Sequence, residues 1–299
     1  MSQTLGVVLA VISLLGMGMY PVLLKKVVKE LGEYTCLVFN YLVLMVLLGV
    51  TAVFTIKLTM PSDLVVGAII LGAIVGALAI YLYYKAIKVG HVSVVVVIAS
   101  SNIIWSVIAS YFLFKEQLDV FKYIAIGVIL LGVIFVSMEK LSLPRKLKER
   151  NMIRWMKSNI WSKGAGLALM VSFCWAFYNL VIKYNVQELG PHKAVVYMEV
   201  LLFVLLLFAF LGRPAHKLVK WPKKEQWKWL APSGGLFALG AVGLYFAMSQ
   251  AQLSVVIPIV NAGPIAAVVG AAALLQERVR VHQYIGILMA IAGIVVLSI

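Results

Sequence analysis

The stretch Leu14–Gly32, LLGMGMYPVLLKKVVKELG, returns in the second half of the chain as Ser172–Gly190, SFCWAFYNLVIKYNVQELG. Tyr20 corresponds to Tyr178, Lys25 to Lys183, Glu30 to Glu188, Leu31 to Leu189 and Gly32 to Gly190. The correspondence resumes farther on, pairing Tyr84 with Tyr245, Ala86 with Ala247, Ser93 with Ser254 and Glu116 with Glu277. It continues through Tyr123 and Tyr284, Gly132 and Gly293, and Ser137 and Ser298. The chain is therefore two copies of one unit, with a short net insertion in the second. Two halves of this kind, embedded in a membrane, are the common build of a secondary transporter whose substrate sits between them.

Composition supports the membrane. Of 299 residues, 63% are hydrophobic and 12% charged, and the mean hydropathy is +1.03. A soluble domain is roughly half apolar, and one as apolar as this could not cover its surface. A bilayer removes that requirement. The net charge of +15 does not indicate nucleic acid, because the cations cluster in short loops between apolar runs. Such loops set topology and meet anionic lipid headgroups. Cys36 and Cys174 lie in different apolar segments and read as small fillers, with no disulfide framework or metal site. The first apolar run, from Leu5, lacks a basic leader and has its repeat partner in mid-chain. It reads as a permanent span rather than a removed signal peptide.

A span needs about 20 apolar residues. Ten are expected, at 5–24, 35–56, 63–85, 92–114, 120–138, 164–183, 191–212, 229–249, 253–275 and 281–299. The fold class is thus an all-α polytopic membrane protein, ten transmembrane helices in two five-helix repeats. Five is odd, so the second repeat starts on the opposite face from the first and the repeats are inverted. The expected units are residues 1–138, a basic interfacial linker at 139–163, and residues 164–299. The linker carries Arg145, Lys146, Lys148, Arg150, Arg154 and Lys157, with Ile153, Met156 and Ile160 at helical spacing. A short amphipathic helix in the interface and a solvated linker both fit it. A second basic loop, Arg213–Lys228, carries Trp221 and Trp227, with Trp229 just beyond, as interface anchors. The great majority of the 26 Lys and Arg residues fall on odd-numbered loops. By charge alone those loops are cytoplasmic and both termini lie outside.

Polar groups are costly inside a membrane and so mark function. On the sixth span Ser172, Trp175, Tyr178 and Asn179 share one helix face. The first span repeats this weakly with Ser13, Gly16 and Tyr20, and Tyr20 and Tyr178 are expected to face each other across the pseudo-two-fold axis. Ser101, Asn102 and Trp105 mark the fourth span, Asn261 the ninth, and Tyr81, Tyr84 and Tyr245 one end of the third and eighth. Asn40, Tyr41 and Tyr197 complete the candidate lining of a substrate cavity. Any one of these residues alone is read as a helix–helix hydrogen bond; their convergence from both halves argues for a cavity. Glu199 is the one acid deep in a span, eight residues beyond Pro191 or ~12 Å along a helix. Desolvation penalises a carboxylate's charge, which suits proton coupling or cation binding. Its repeat partner is Tyr41. Glu116 and Glu277, at the ends of the fourth and ninth spans, suit a structural task. Gly72 and Gly76 form a close-packing GxxxG face. Pro258 and Pro264 kink or break the ninth span. ATP-binding, HExxH and Asp-rich motifs are missing from the sequence, so no cofactor, metal or enzymatic chemistry is expected.

Each half also reads as one motif: YKAIKVGHVSVVVV (84–97) followed by Glu116, and YFAMSQAQLSVVIP (245–258) followed by Glu277. In this the chain resembles the ten-span, EamA-type branch of the drug/metabolite transporter superfamily. The second copy also has the family's proline, Pro264, thirteen residues before Glu277, where the first has Ile103, so the halves are expected to differ there. The resemblance implies transport of small metabolites by alternating access, with both termini cytoplasmic, against the charge count. The expectation is a multi-pass cell-membrane protein, monomeric or homodimeric, that moves amino acids, amines or drug-like solutes, with proton or exchange coupling. Its partners are a small-molecule substrate and anionic lipids, not nucleic acid. A passive channel or lipid scramblase, and a non-transporting scaffold, are the alternatives.

Overall fold

The computed structural model describes residues 3–55, 61–89, 92–137, 164–211, 220–276 and 278–298. The linker at 139–163, Glu277 and residues 213–219 of the Arg213–Lys228 loop lie outside them. Among the described residues the chain is wholly helical. In order the helices are α1 (Gln3–Leu24), α2 (Val28–Leu31), α3 (Glu33–Thr55), α4 (Asp63–Val89), α5 (Val92–Ser100), α6 (Asn102–Leu113) and α7 (Val120–Ser137). The second half contributes α8 (Ala165–Leu189), α9 (Pro191–Leu211), α10 (Lys224–Gln250), α11 (Leu253–Val260), α12 (Gly263–Leu275) and α13 (Val281–Ser298).

Among the described residues eight segments are long and apolar enough to cross a membrane: α1, α4, α7, α8, α9, α10, the α11–α12 pair and α13. Shorter apolar stretches, Tyr34–Val50 and Ile98–Leu113, stand where the second and fourth expected spans fall. In hydrocarbon a helix satisfies its own backbone. Large side chains such as Phe112, Phe121 and Leu288 can therefore point outward, where they are about 70% exposed.

The halves meet by exchange. α1 packs on α10 and on α11 and α12; its repeat mate α8 packs on α4 and on α5 and α6. α3 packs on α10 as α9 does on α4, and α7 lies against α13. Small residues permit this closeness. A β-carbon added at Gly16 would sit 2.6 Å from the Gly240 nitrogen, and one at Gly132 2.6 Å from the Gly286 carbonyl oxygen. The GxxxG face on α4 behaves as expected: Gly72 lies under Val181 and Met198, and Gly76 under Tyr178 and Leu202.

The repeat reaches into the backbone dihedrals. Four described residues have positive φ, and they form two repeat pairs: Gly32 (83°) with Gly190 (77°), and Lys115 (53°) with Gln276 (54°). Gly32 and Gly190 combine that φ with ψ near 160°, a region essentially closed to residues with a β-carbon. Each joins one helix directly to the next. Gln276 ends α12 in the left-handed conformation.

The fourth and sixth spans differ from expectation, and the ninth breaks near Pro264 as expected. The fourth span is not continuous, but breaks at Ser101 between α5 and α6. The ninth breaks at Asn261–Ala262, with Pro264 at the start of α12. The breaks are repeat-related, so the expected asymmetry at Ile103 does not extend to helix continuity. In the first half side chains do what proline does in the second: Ser101 Oγ donates to Ile98 O (2.6 Å), Ser100 Oγ to Val96 O (2.9 Å) and Asn102 Nδ2 to Ala99 O (2.9 Å). These bonds occupy carbonyls around the break. The sixth span, expected to stop at Lys183, runs on to Leu189. Lys183 is buried instead of terminating it, because its ammonium donates to Met248 O (2.7 Å) and Ala251 O (2.8 Å) at the C-terminal end of α10. Those last-turn carbonyls have no partner within their own helix, and a cation there is favoured.

Candidate functional site

Glu199 lies in the third turn of α9 and is 5% exposed. Facing it, α8 presents Tyr178 and α10 presents Tyr245. Both phenols donate to the same carboxylate oxygen, Oε1, at 3.1 and 3.0 Å, and their own oxygens are 3.4 Å apart. Tyr245 is fully buried. The Tyr178 ring lies over Gly76 of α4, so a first-half glycine makes room for a second-half tyrosine. The arrangement can hold a carboxylate against two neutral donors, and a proton gained or lost at Oε1 changes how both phenols are engaged.

Several side-chain pairs cross between the halves. Asn102 and Asn261 exchange amide hydrogen bonds, Asn102 Nδ2 to Asn261 Oδ1 at 2.9 Å and Asn261 Nδ2 to Asn102 Oδ1 at 3.3 Å. This joins the break in the fourth span to the break in the ninth. Ser101 and Ser172 share a hydroxyl hydrogen bond of 2.8 Å. Trp105 stacks on Phe173 with centroids 4.4 Å apart, and its buried indole N–H has no hydrogen-bond partner among the described residues. Trp175 lies 4.9 Å from the ring of Tyr83. Asn179 is buried on α8 and Tyr197 is half-buried on α9.

The equivalent place in the first half is aromatic. Tyr41, the repeat mate of Glu199, stacks on Phe203 at 5.6 Å and tilts against Phe237 at 5.0 Å. Tyr20 meets Phe237 edge-on at 5.3 Å. Tyr20 and Tyr178 make no direct hydrogen bond or ring contact with each other among the described residues. Each instead packs on the other half's third-span helix, at repeat-equivalent positions, Phe237 for Tyr20 and Gly76 for Tyr178. Asn40 lies near Tyr20 and accepts from Ser233 Oγ at 3.3 Å; that hydroxyl also lies 3.2 Å from the Tyr20 carbonyl.

Tyr81 is not brought to this region. It is 46% exposed, with the Lys85 ammonium 6.0 Å above its ring. The inward tyrosine of α4 is Tyr83. The buried positions Ile69, Ala73, Gly76 and Ala79 run at helical spacing to Tyr83 and Ala86, and that period singles out Tyr83. The side chain of Tyr84 lies outside the described residues.

Glu116 has the structural task expected of it. It is 7% exposed and accepts from Leu253 N (2.8 Å), Ser254 N (2.9 Å) and Ser254 Oγ (2.6 Å). The carboxylate therefore caps the start of α11 from the other half. With Lys183 it grips both sides of the turn joining α10 to α11. A polar cavity of about 420 Å3 opens there, bordered by both side chains and by Gln187 and Gln250. Lys183 escaped the sequence reading because a lysine near the end of an apolar run looks like its boundary.

The model of the EamA-like transporter family matches residues 4–138 and 162–299, once for each repeat. A 67-residue stretch is 36% identical to an uncharacterized protein of Methanocaldococcus jannaschii; it covers 22% of this chain and 49% of that one. The match thus spans about half the length of that curated relative. A solved crystal structure of a protein 13% identical shares the fold, with a TM-score of 0.76 over 99% of this chain and 97% of that one. The chain belongs to the EamA-like transporter family, and it is a multi-pass membrane protein.

Proposed function

We propose that this member of the EamA-like transporter family is a secondary active transporter of small organic metabolites, working by alternating access of two inverted five-span halves. Amino acids, amines and drug-like solutes are the substrate classes. The candidate site is lined by Tyr178, Asn179, Tyr245, Trp175, Trp105, Asn102 and Asn261, and Glu199 is the coupling group. The observation that carries this reading is the buried Glu199 carboxylate held by two tyrosine hydroxyls. A buried acid in a span is costly and is retained where ions or substrates pass. The exchanged packing of the halves supports rocking of one against the other about that site.

Purified protein in liposomes tests the proposal. A pH gradient drives saturable accumulation of a substrate found by thermal-shift screening of metabolites. Glu199→Gln, nearly isosteric, abolishes the dependence on the gradient. Unchanged gradient-driven accumulation in that variant overturns the assignment of Glu199. Flux in the wild type that is neither saturable nor gradient-driven favours a passive channel instead.

A further inference from the structure

On the side of the molecule where α1 and α12 end and α13 begins, a cavity of about 500 Å3 opens. Its polar rim carries three cationic side chains, Lys25, Arg278 and Arg280, and its walls are apolar, formed by Val22, Val268 and Leu275 among others. The rim is built, not draped. Gln276 turns the chain sharply after α12 through its left-handed conformation. Gln283 then fastens the next stretch: its Oε1 accepts from Arg280 N at 3.0 Å and its Nε2 donates to Val136 O of α7 at 3.2 Å. Glu277 is the one acid among residues 276–283, so cations remain in excess at this mouth.

We propose that this cavity binds an anionic phospholipid, with the headgroup phosphate at Lys25, Arg278 and Arg280 and an acyl chain along Val22, Val268 and Leu275. Arginine's planar fork matches phosphate oxygens in pairs, and a lysine beside it adds a point charge. The apolar wall directly below the cations distinguishes this from a site for a small soluble anion, which has no use for it. The cavity also lies at the ends of membrane helices, the level at which headgroups sit. The proposal stands independently of the transport reading.

Native mass spectrometry of the full chain in detergent, titrated with phosphatidylglycerol and phosphatidylcholine, tests it. The wild type binds one phosphatidylglycerol at least about tenfold more tightly than phosphatidylcholine, or about 1.4 kcal/mol. The double variant Arg278→Gln/Arg280→Gln loses that preference, and Arg278→Lys/Arg280→Lys keeps most of it. Lys26→Gln/Lys228→Gln removes equal charge from lysines that flank Trp229 on the same side of the molecule, and it leaves the preference intact. An equal loss in that control means diffuse surface attraction and overturns the site. So does displacement of the lipid by millimolar glycerol phosphate, which makes the ligand a soluble anion. Absence of any phosphatidylglycerol preference in the wild type overturns it outright.

Discussion

Replacing Glu116 by glutamine changes one atom and tests whether this carboxylate holds the halves together. The wild-type side chain accepts three hydrogen bonds from the first two residues of α11, all between 2.6 and 2.9 Å. Leu253 and Ser254 are themselves almost wholly buried, so water cannot replace what is lost. Glutamine keeps one acceptor oxygen and puts an NH2 where the other stood. The Ser254 hydroxyl can rotate to accept from it, but one backbone N–H is left facing a donor. A hydrogen bond to a charged group contributes about 1.5–3 kcal/mol, and an unpaired buried donor costs about 1–3 kcal/mol. These overlap, because the bond lost and the donor stranded are one contact. The weakened attraction of the helix N-terminus for negative charge adds up to about 1 kcal/mol. The expected destabilisation is about 2–4 kcal/mol. At about 2–4 °C per kcal/mol for a chain approaching this size, that lowers the melting temperature by roughly 4–16 °C. Thermal unfolding in detergent, followed by tryptophan fluorescence, measures it. Glu30→Gln serves as comparison: Glu30 is exposed and accepts from Gln226 at 2.6 Å, and its loss leaves the melting temperature within about 2 °C. If Glu116→Gln melts with the wild type, Glu116 does not clamp the halves and the reasoning from its three bonds fails.

Two further outcomes follow from the same contacts. Asn102→Ala and Asn261→Ala each strand the partner's amide and destabilise by about 1–2 kcal/mol, while the double variant costs little more than either alone; a double-mutant cycle in thermal melts returns an interaction energy above about 0.5 kcal/mol, and strict additivity refutes the pair. Gly16→Ala drives a methyl into the backbone of α10, which cannot yield, and costs about 1–3 kcal/mol. Gly49→Ala meets nothing within 4 Å and is neutral or stabilising by up to about 1 kcal/mol; equal effects at the two positions overturn the close α1–α10 approach.

Much of the fold was legible because a bilayer makes the sequence report directly on it. An apolar run of span length has no soluble alternative, and the internal repeat placed α1 beside the identity of α8 before any contact was known. Glu199 stood out for the same reason, as the one acid without a loop near it. What could not be read are contacts distant in sequence. Nothing local tells that Tyr178 and Tyr245 reach one oxygen of Glu199, or that Asn102 meets Asn261. Two features misled. Lys183 reads as a helix end, since a bare lysine belongs at the interface, and only the α10 carbonyls explain its burial. Tyr81 attracted notice as a tyrosine near Tyr84, although the helical period of α4 points to Tyr83. Proline is neither a sufficient nor a necessary sign of a broken helix: Pro21, Pro232 and Pro258 lie inside continuous helices, while Ser100, Ser101 and Asn102 bond to preceding carbonyls at the break in the fourth span.

The buried acid and its two phenol donors belong to the second half only, and the repeat explains how. Inversion creates two equivalent cages, each made by one half's first span leaning on the other half's third span. In one cage the third-span position is Phe237, and the rings of Tyr20, Tyr41 and Phe203 pack around it. In the other the same position is Gly76. The missing side chain admits the ring of Tyr178 deeply enough for its hydroxyl to reach Glu199, while Tyr245 closes from α10. A second carboxylate in the first cage would meet aromatic faces without two aligned donors, and its charge would go unsupported. The glycine–phenylalanine difference thus explains why Glu199 has tyrosine, Tyr41, as its partner across the repeat. In the transport cycle proposed above, Glu199 is then the single acid of the two cages available to load and unload a proton, whichever half moves.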